Sequence, residues 1–213
     1  MITTRVATRS DAPALAALAA RTFPLACPPG PKPEDIAEFL ATVLSPGGFG
    51  TFLADPTHTI LLAETSDAPE PPAERSDAVP VAYAMLVAEE IEDPEVAAVV
   101  TADAPLTLSK FYALPAVHGG GVARVLMDEV VAHAVRAGHD VLWLGVNQHN
   151  ARARRFYEKS GFVVAGTKHF RVGSEVHDDF VMLRSLVVPS DVPGTQPVDE
   201  DAQAETEAGG GTR

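Results

Sequence analysis

Leu106-Thr-Leu-Ser-Lys-Phe-Tyr-Ala-Leu-Pro115 leads into His118-Gly-Gly-Gly121-Val-Ala123 and then into Arg124-Val-Leu-Met-Asp-Glu-Val-Val-Ala-His-Ala-Val-Arg136. Across the glycines the apolar spacing changes from strand-like to helix-like, so the segment reads as strand, glycine-rich turn, helix. Such a turn offers several backbone N–H groups at a helix N-terminus with the macrodipole behind them, an arrangement suited to phosphate. Glycine is required where a bulky anion approaches the backbone or where φ is positive.

Three phosphate-binding patterns compete for this turn, against a plain tight connection between strand and helix. The dinucleotide fingerprint G-x-G-x-x-G would begin at Gly119 and needs glycine where Arg124 stands. The ATP-binding P-loop needs Gly-Lys-Ser/Thr, and the chain reads Gly121-Val-Ala-Arg124. The third is the R/Q-x-x-G-x-G/A turn, which His118-x-x-Gly121-x-Ala123 matches at all but its first position.

Downstream, Val141-Leu-Trp-Leu-Gly-Val146 reads as a second apolar strand. Asn150 is placed to cap a helix running from Ala151 through Tyr157, closed by Ser160-Gly161-Phe162. Asn150-x-x-Ala153-x-x-x-Tyr157-x-x-x-Gly161-Phe162 resembles the second signature of the GNAT superfamily of N-acetyltransferases, and the His118–Ala123 turn resembles its acetyl-CoA signature. The two occur in the family's order and spacing. The resemblance covers roughly residues 3 to 186 and is specific to the superfamily, not to a substrate. It implies an α/β (α+β) fold: a mixed, mostly antiparallel sheet of about seven strands, flanked by helices and splayed where acetyl-CoA binds.

Bulk properties agree with one globular domain over residues 1–186. At 213 residues with 46% hydrophobic content, the chain can bury a sizeable core. A single cysteine, Cys27, rules out an intrachain disulfide framework and reads as a small apolar residue in a reducing compartment. No apolar run reaches the ~18 residues of a membrane helix, and the first residues lack a signal core, so cytoplasm is the expected location. The net charge of −13 argues against unassisted binding to nucleic acid or to an anionic membrane. More than half of that charge lies in two segments. Val187–Arg213 carries six acids against Arg213, and Ser66–Val79 carries four against Arg75. The first is expected to be a disordered acidic tail over 187–213, the second a mobile hairpin loop over 66–79.

Further elements follow the same rules. Thr3–Thr8 reads as a first strand; Ser10-Asp11 caps a helix broken at Pro24 and the proline cluster after Cys27. A second helix carries Phe39, Leu40 and Val43 and stops at Pro46-Gly-Gly48. Strands are expected over Thr57–Ala63 and Val79–Glu89, and a closing hairpin over Val163–Val172 and Val176–Arg184. In the resembled fold the first two helices wall the acceptor site, so Phe23, Phe39, Phe49 and Phe52 are either pocket or core.

The resemblance also implies roles. The backbone of Phe111, Tyr112 and Ala113 would serve the donor: an amide at or beside Phe111 faces the oxyanion, and Ala113 pairs with pantetheine like an added strand. Pyrophosphate would sit on the N–H groups of Gly119, Gly120, Gly121, Val122, Ala123 and Arg124, with the Arg124 guanidinium as counter-charge. His118 replaces the usual Arg or Gln; it is a phosphate donor or an exposed structural histidine. Asn150 would both cap its helix and hold the pantetheine amide. Tyr157 would be the general acid to the CoA thiolate, because a phenol with pKa near ~10 is protonated at neutral pH. Where some members carry a glutamate base, this chain has Thr107, and Glu89, Glu90, Asp103, Glu175 and Asp178 are scattered candidates.

The expected activity is acetyl transfer from acetyl-CoA to a primary amine of a small molecule or peptide, by direct attack in a ternary complex. No metal is implied, because the seven histidines show no paired ligand spacing. A non-catalytic CoA-binding module on the same fold is the competing class, and homodimerisation stays open. Phe170–Met182 resembles the hairpin of spermine/spermidine acetyltransferase relatives, a lead toward polyamines.

Overall fold

A computed structural model describes residues 1–27, 32–66, 79–172 and 175–187, the side chains of 170–177 apart. Apart from Ser66, Val79 and Val187, the expected loop over 66–79 and the acidic tail fall outside the described residues.

Seven strands form one sheet: β1 (Ile2–Val6), β2 (His58–Thr65), β3 (Val79–Val87), β4 (Pro105–Ala113), β5 (Val141–Asn147), β6 (Val163–Val172) and β7 (Glu175–Ser185). Their order is β1-β2-β3-β4-β5-β7-β6, antiparallel throughout except between β4 and β5. This is the mixed, mostly antiparallel architecture expected from the resemblance. The helices are α1 (Ala12–Ala26), α2 (Pro33–Thr42), α3 (Pro46–Phe52), α4 (Pro94–Ala97), α5 (Val122–Arg136) and α6 (Ala151–Lys159).

Alternation along the strands assigns the helices to faces. On β4, Tyr112 meets Phe23 of α1 and Tyr83 of β3, with ring centroids at 6.3 and 5.5 Å. Its neighbour Phe111 points the other way, to Phe156 and Tyr157 of α6, at 5.3 and 6.4 Å. Helices α1, α2 and α3 therefore cover one face, and α5 and α6 the other. The long apolar side of α5, with Leu126, Met127, Val130 and Ala134 almost fully buried, packs across β1 to β4. Each such leucine or methionine contributes roughly 1.5–3 kcal/mol of transfer free energy.

Local signals differ from the sequence expectation at several points. The entry to α1 is closed by Thr8 and Asp11, not by Ser10: the Asp11 carboxylate accepts from the Thr8 N–H at 2.7 Å. Arg5 of β1 grips the same carboxylate with both terminal nitrogens at 2.8 Å and also pairs with Glu64 of β2. That ties the start of α1 to the sheet, and it holds the Asp11 carboxyl well below the usual carboxylate range. Pro24 does not break α1, which runs on to Ala26.

Pro46-Gly-Gly48 begins a helix instead of ending one. Ser45 accepts from the Gly48 N–H at 3.0 Å, and Pro46 occupies the first turn, where a missing N–H costs nothing. A Cβ on Gly48 would collide with the carbonyl oxygen of Val43, a backbone atom that cannot step aside. Gly48→Ala should therefore destabilise the fold by about 2 kcal/mol, read as a Tm drop of about 5 °C in thermal unfolding. An unchanged Tm would mean that the turn between α2 and α3 is free to move.

Candidate active site

The site is organised by a gap in the sheet. Strands β4 and β5 pair in parallel only at Pro105↔Val141, Leu106↔Leu142 and Thr107↔Trp143. Beyond Thr107 they part, so the second half of β4 keeps an open edge facing β5. Just inside the gap, β4 carries a bulge: Leu86 faces Leu108 while Met85 faces Lys110, leaving Ser109 as the extra residue.

After β4 the chain makes one short turn and reaches the glycines. Gly119 and Gly121 have φ of 85° and 81°, and Gly121 is the N-cap of α5. A left-handed cap without a side chain leaves the first amides of the helix unoccupied by any capping oxygen. The first backbone bond of the helix runs from Val125 N to Gly121 O at 3.0 Å. Among the described residues, the N–H groups of Gly121, Val122, Ala123 and Arg124 find no backbone acceptor. Gly120 differs from expectation: its N–H is taken by Val117 O at 3.2 Å.

The flanking side chains are less committed than the backbone. The Arg124 side chain is 85% exposed and lies 3.8 Å from Asp128. His118 is exposed, and partial desolvation together with the nearby Arg152 charge keeps its imidazole pKa below the usual value. A hydrogen bond to the Ala113 backbone opposes that shift and already engages the ring.

Across the gap, α6 presents the second signature. The Asn150 Oδ1 caps this helix by accepting from the Ala153 N–H at 3.0 Å, which leaves its amide NH2 uncommitted. Tyr157 follows two turns later on the same side. Its ring packs against Phe111, Phe156 and Phe162 at 6.4, 5.5 and 5.7 Å. Burial raises the phenol pKa, and the nearby Tyr112 phenol adds to the effect. The hydroxyl thus keeps its proton at neutral pH. The Tyr112 ring, by contrast, lies on the α1 face, where burial and Cys27 push its pKa up to about 12.

On that α1 face, opposite α6, lies a cavity of about 660 Å³. Its walls include Phe52, Met85, Thr107, Lys110 and Trp143, and the exposed acids Glu89, Glu90 and Glu92 stand around it with Asp93. His58 stacks on Phe52 at 5.3 Å, and the Thr57 hydroxyl holds it at 3.0 Å while also reaching Asp55 and Glu89. Of the four phenylalanines read as pocket or core, Phe52 lines the cavity. Phe49 is fully buried, and Phe23 stacks on Phe39 at 4.9 Å.

The carboxylate candidates divide in the same way. Glu89 and Glu90 reach the cavity. Asp178 lies 3.6 Å from His169 on the outer hairpin, and Asp103 sits beside Asp140, which accepts from its backbone N–H. The Glu175 side chain lies outside the described residues. Lys110, His58, Glu92 and Asp93 were not singled out from the sequence, although the structure brings all four to the cavity.

Comparison with known proteins bears on what this geometry is for. Residues 40–162 match the acetyltransferase (GNAT) family. N-acetyltransferases described as uncharacterised, from Mycobacterium tuberculosis and Mycobacterium bovis, are 46% identical over 178 residues, covering 84% of this chain and 99% of theirs. Among solved structures, the PaiA N-acetyltransferase of Thermoplasma acidophilum, in complex with coenzyme A, shares the fold at a TM-score of 0.63. It is 17% identical and covers 87% of this chain and 99% of its own. The yncA protein of Salmonella typhimurium, solved with acetyl-CoA, shares the fold at a TM-score of 0.57, with 19% identity over 92% and 99% of the two chains. The chain belongs to the GNAT family of acetyltransferases and is an N-acetyltransferase.

Proposed function

We propose that this N-acetyltransferase moves the acetyl group of acetyl-CoA onto the primary amine of an acceptor held in the 660 Å³ cavity, by direct attack within a ternary complex. The observation that carries the reading is the gap between β4 and β5. It opens past Thr107 and Trp143, and both of these residues stand in the cavity wall.

The residues fit the donor. The open edge of β4 at Phe111, Tyr112 and Ala113 suits the pantetheine amides, and the Asn150 NH2 is available beside it. The uncapped amides of Gly121, Val122, Ala123 and Arg124 suit the pyrophosphate, with Gly119 supplying the turn and Gly120 and His118 adding less than their positions imply. Thioester chemistry comes with the donor; the protein's part is to place charge and protons. An amide at or beside Phe111 polarises the acetyl carbonyl and stabilises the oxyanion. The amine nitrogen forms the new C–N bond, the C–S bond breaks, and the Tyr157 hydroxyl passes its hydrogen to the departing sulfur and is reprotonated from solvent. The proton lost by the amine leaves through solvent in the cavity, where the exposed carboxylates accept it.

Initial rates with both substrates varied test the order of events. Intersecting lines are expected when both must be bound together. Parallel lines, with an acetylated enzyme recovered in the absence of acceptor, would overturn direct attack.

A further inference from the structure

Lys110 is the unexpected resident of the cavity. The bulge at Ser109 turns its side chain to the same side as Met85, its partner on β3, and both line the space opposite Tyr157. Its ammonium lies 5.2 Å from the centre of the Phe52 ring, and its hydrogen bond is to the Ser109 hydroxyl at 3.4 Å. Among the described residues no carboxylate pairs with it. Burial pushes its pKa down to about 8, as expected for a cation that has lost water without gaining an anion. Trp143 stands in the wall of the same cavity, and its indole N–H is buried without an acceptor. The Trp143 N–H has no partner and the Lys110 ammonium only the Ser109 hydroxyl, whereas buried polar groups are ordinarily satisfied.

The exposed acids at the cavity point to the opposite charge, and magnitude decides between the two. Carboxylates of Glu89, Glu90 and Glu92 stand in water, where ionic screening and high dielectric leave each a weak attraction. Lys110 is largely withdrawn from water, so an anion placed against it interacts far more strongly.

We propose that Lys110 is the specificity-determining residue of the acceptor site, receiving the carboxylate of an amino-acid acceptor whose amine is acetylated. The proposal rests on the acetyl-transfer reading above and narrows it. The acids draw the ammonium end of the zwitterion toward the cavity, and Lys110 fixes the carboxylate, leaving the amine directed at the gap. Cationic acceptors that lack a carboxylate, polyamines among them, leave the Lys110 ammonium unpaired and add a like charge beside it.

Matched pairs that differ only by the carboxylate provide the test: lysine against cadaverine, ornithine against putrescine, phenylalanine against phenethylamine. In the wild-type protein the amino acid is expected to exceed its decarboxylated partner by tenfold to a hundredfold in kcat/KM, the range of a charge-assisted hydrogen bond. Lys110→Met should collapse that ratio toward unity and Lys110→Arg should keep most of it, with acetyl-CoA affinity measured on each variant to establish folding. Should Lys110→Met fail to fold, the wild-type ratio alone still decides. Equal or better turnover of the decarboxylated amines overturns the carboxylate subsite and leaves acetyl transfer standing. A ratio untouched by Lys110→Met moves the subsite elsewhere and overturns the role of Lys110. Turnover of no amine at all overturns the acetyl-transfer reading and this one with it.

Discussion

Tyr157→Phe should lower kcat by roughly a hundredfold or more while leaving the Kd for acetyl-CoA within about twofold. The ring is held on three sides by Phe111, Phe156 and Phe162, so a phenylalanine fills the same space and the fold should not notice the change. Only the hydroxyl is lost. Its proton stays on at neutral pH because burial disfavours the phenolate, and its ring lies against Phe111 on the unpaired half of β4. A buried phenol is a weaker acid than a thiol, so full proton transfer to sulfur is uphill until the amine has surrendered its own proton. The hydrogen bond to the developing thiolate acts first, and it is made only in the transition state. Such an interaction shows in kcat and spares binding. Unchanged kcat would remove Tyr157 from the mechanism; a large rise in Kd with unchanged kcat would make it a donor-binding residue instead.

Gly121→Glu should weaken acetyl-CoA binding by more than a hundredfold. Two effects act together. The φ of 81° at Gly121 is a left-handed conformation that costs a side-chain-bearing residue on the order of 1–2 kcal/mol. The new carboxylate would also stand at the helix N-terminus, where it would cap the free amides itself and repel the pyrophosphate. Gly121→Ala separates the two: nothing lies within 4 Å of its Cβ, so it carries the backbone strain without the charge. A loss of about tenfold is expected for Ala against more than a hundredfold for Glu, by calorimetric titration with acetyl-CoA. A normal Kd for the glutamate variant would sink the phosphate role of the turn.

The residues that were legible in advance are those whose chemistry is local. A glycine turn followed by an apolar-faced helix, and an asparagine just ahead of a helix, declare themselves through spacing, and the structure places Gly121 and Asn150 at their helix caps. Sheet order and splay are different in kind. They depend on pairings such as β5 with β7, across almost forty residues of chain, and were expected only through the family resemblance. Lys110 shows a third limit. Strict alternation along Leu106–Ala113 puts Lys110 on the side opposite Thr107, but the bulge at Ser109 shifts the phase by one and brings both to the cavity. A bulge has no sequence signature here, so the residue could not be singled out. Pro46-Gly-Gly48 misled for a related reason: proline and glycine end helices and also begin them, and only the Ser45 cap settles which.

The central claim is that an amine receives the acetyl group at this site. The most direct measurement is release of free CoA thiol from acetyl-CoA, with the product mass determined, across amino acids, polyamines, aminoglycosides and short peptides. The account predicts thiol release matched by an acetylated amine, with turnover that falls in Tyr157→Phe. Acetyl-CoA that binds yet is never consumed, or thiol released by hydrolysis with every amine unmodified, would contradict it.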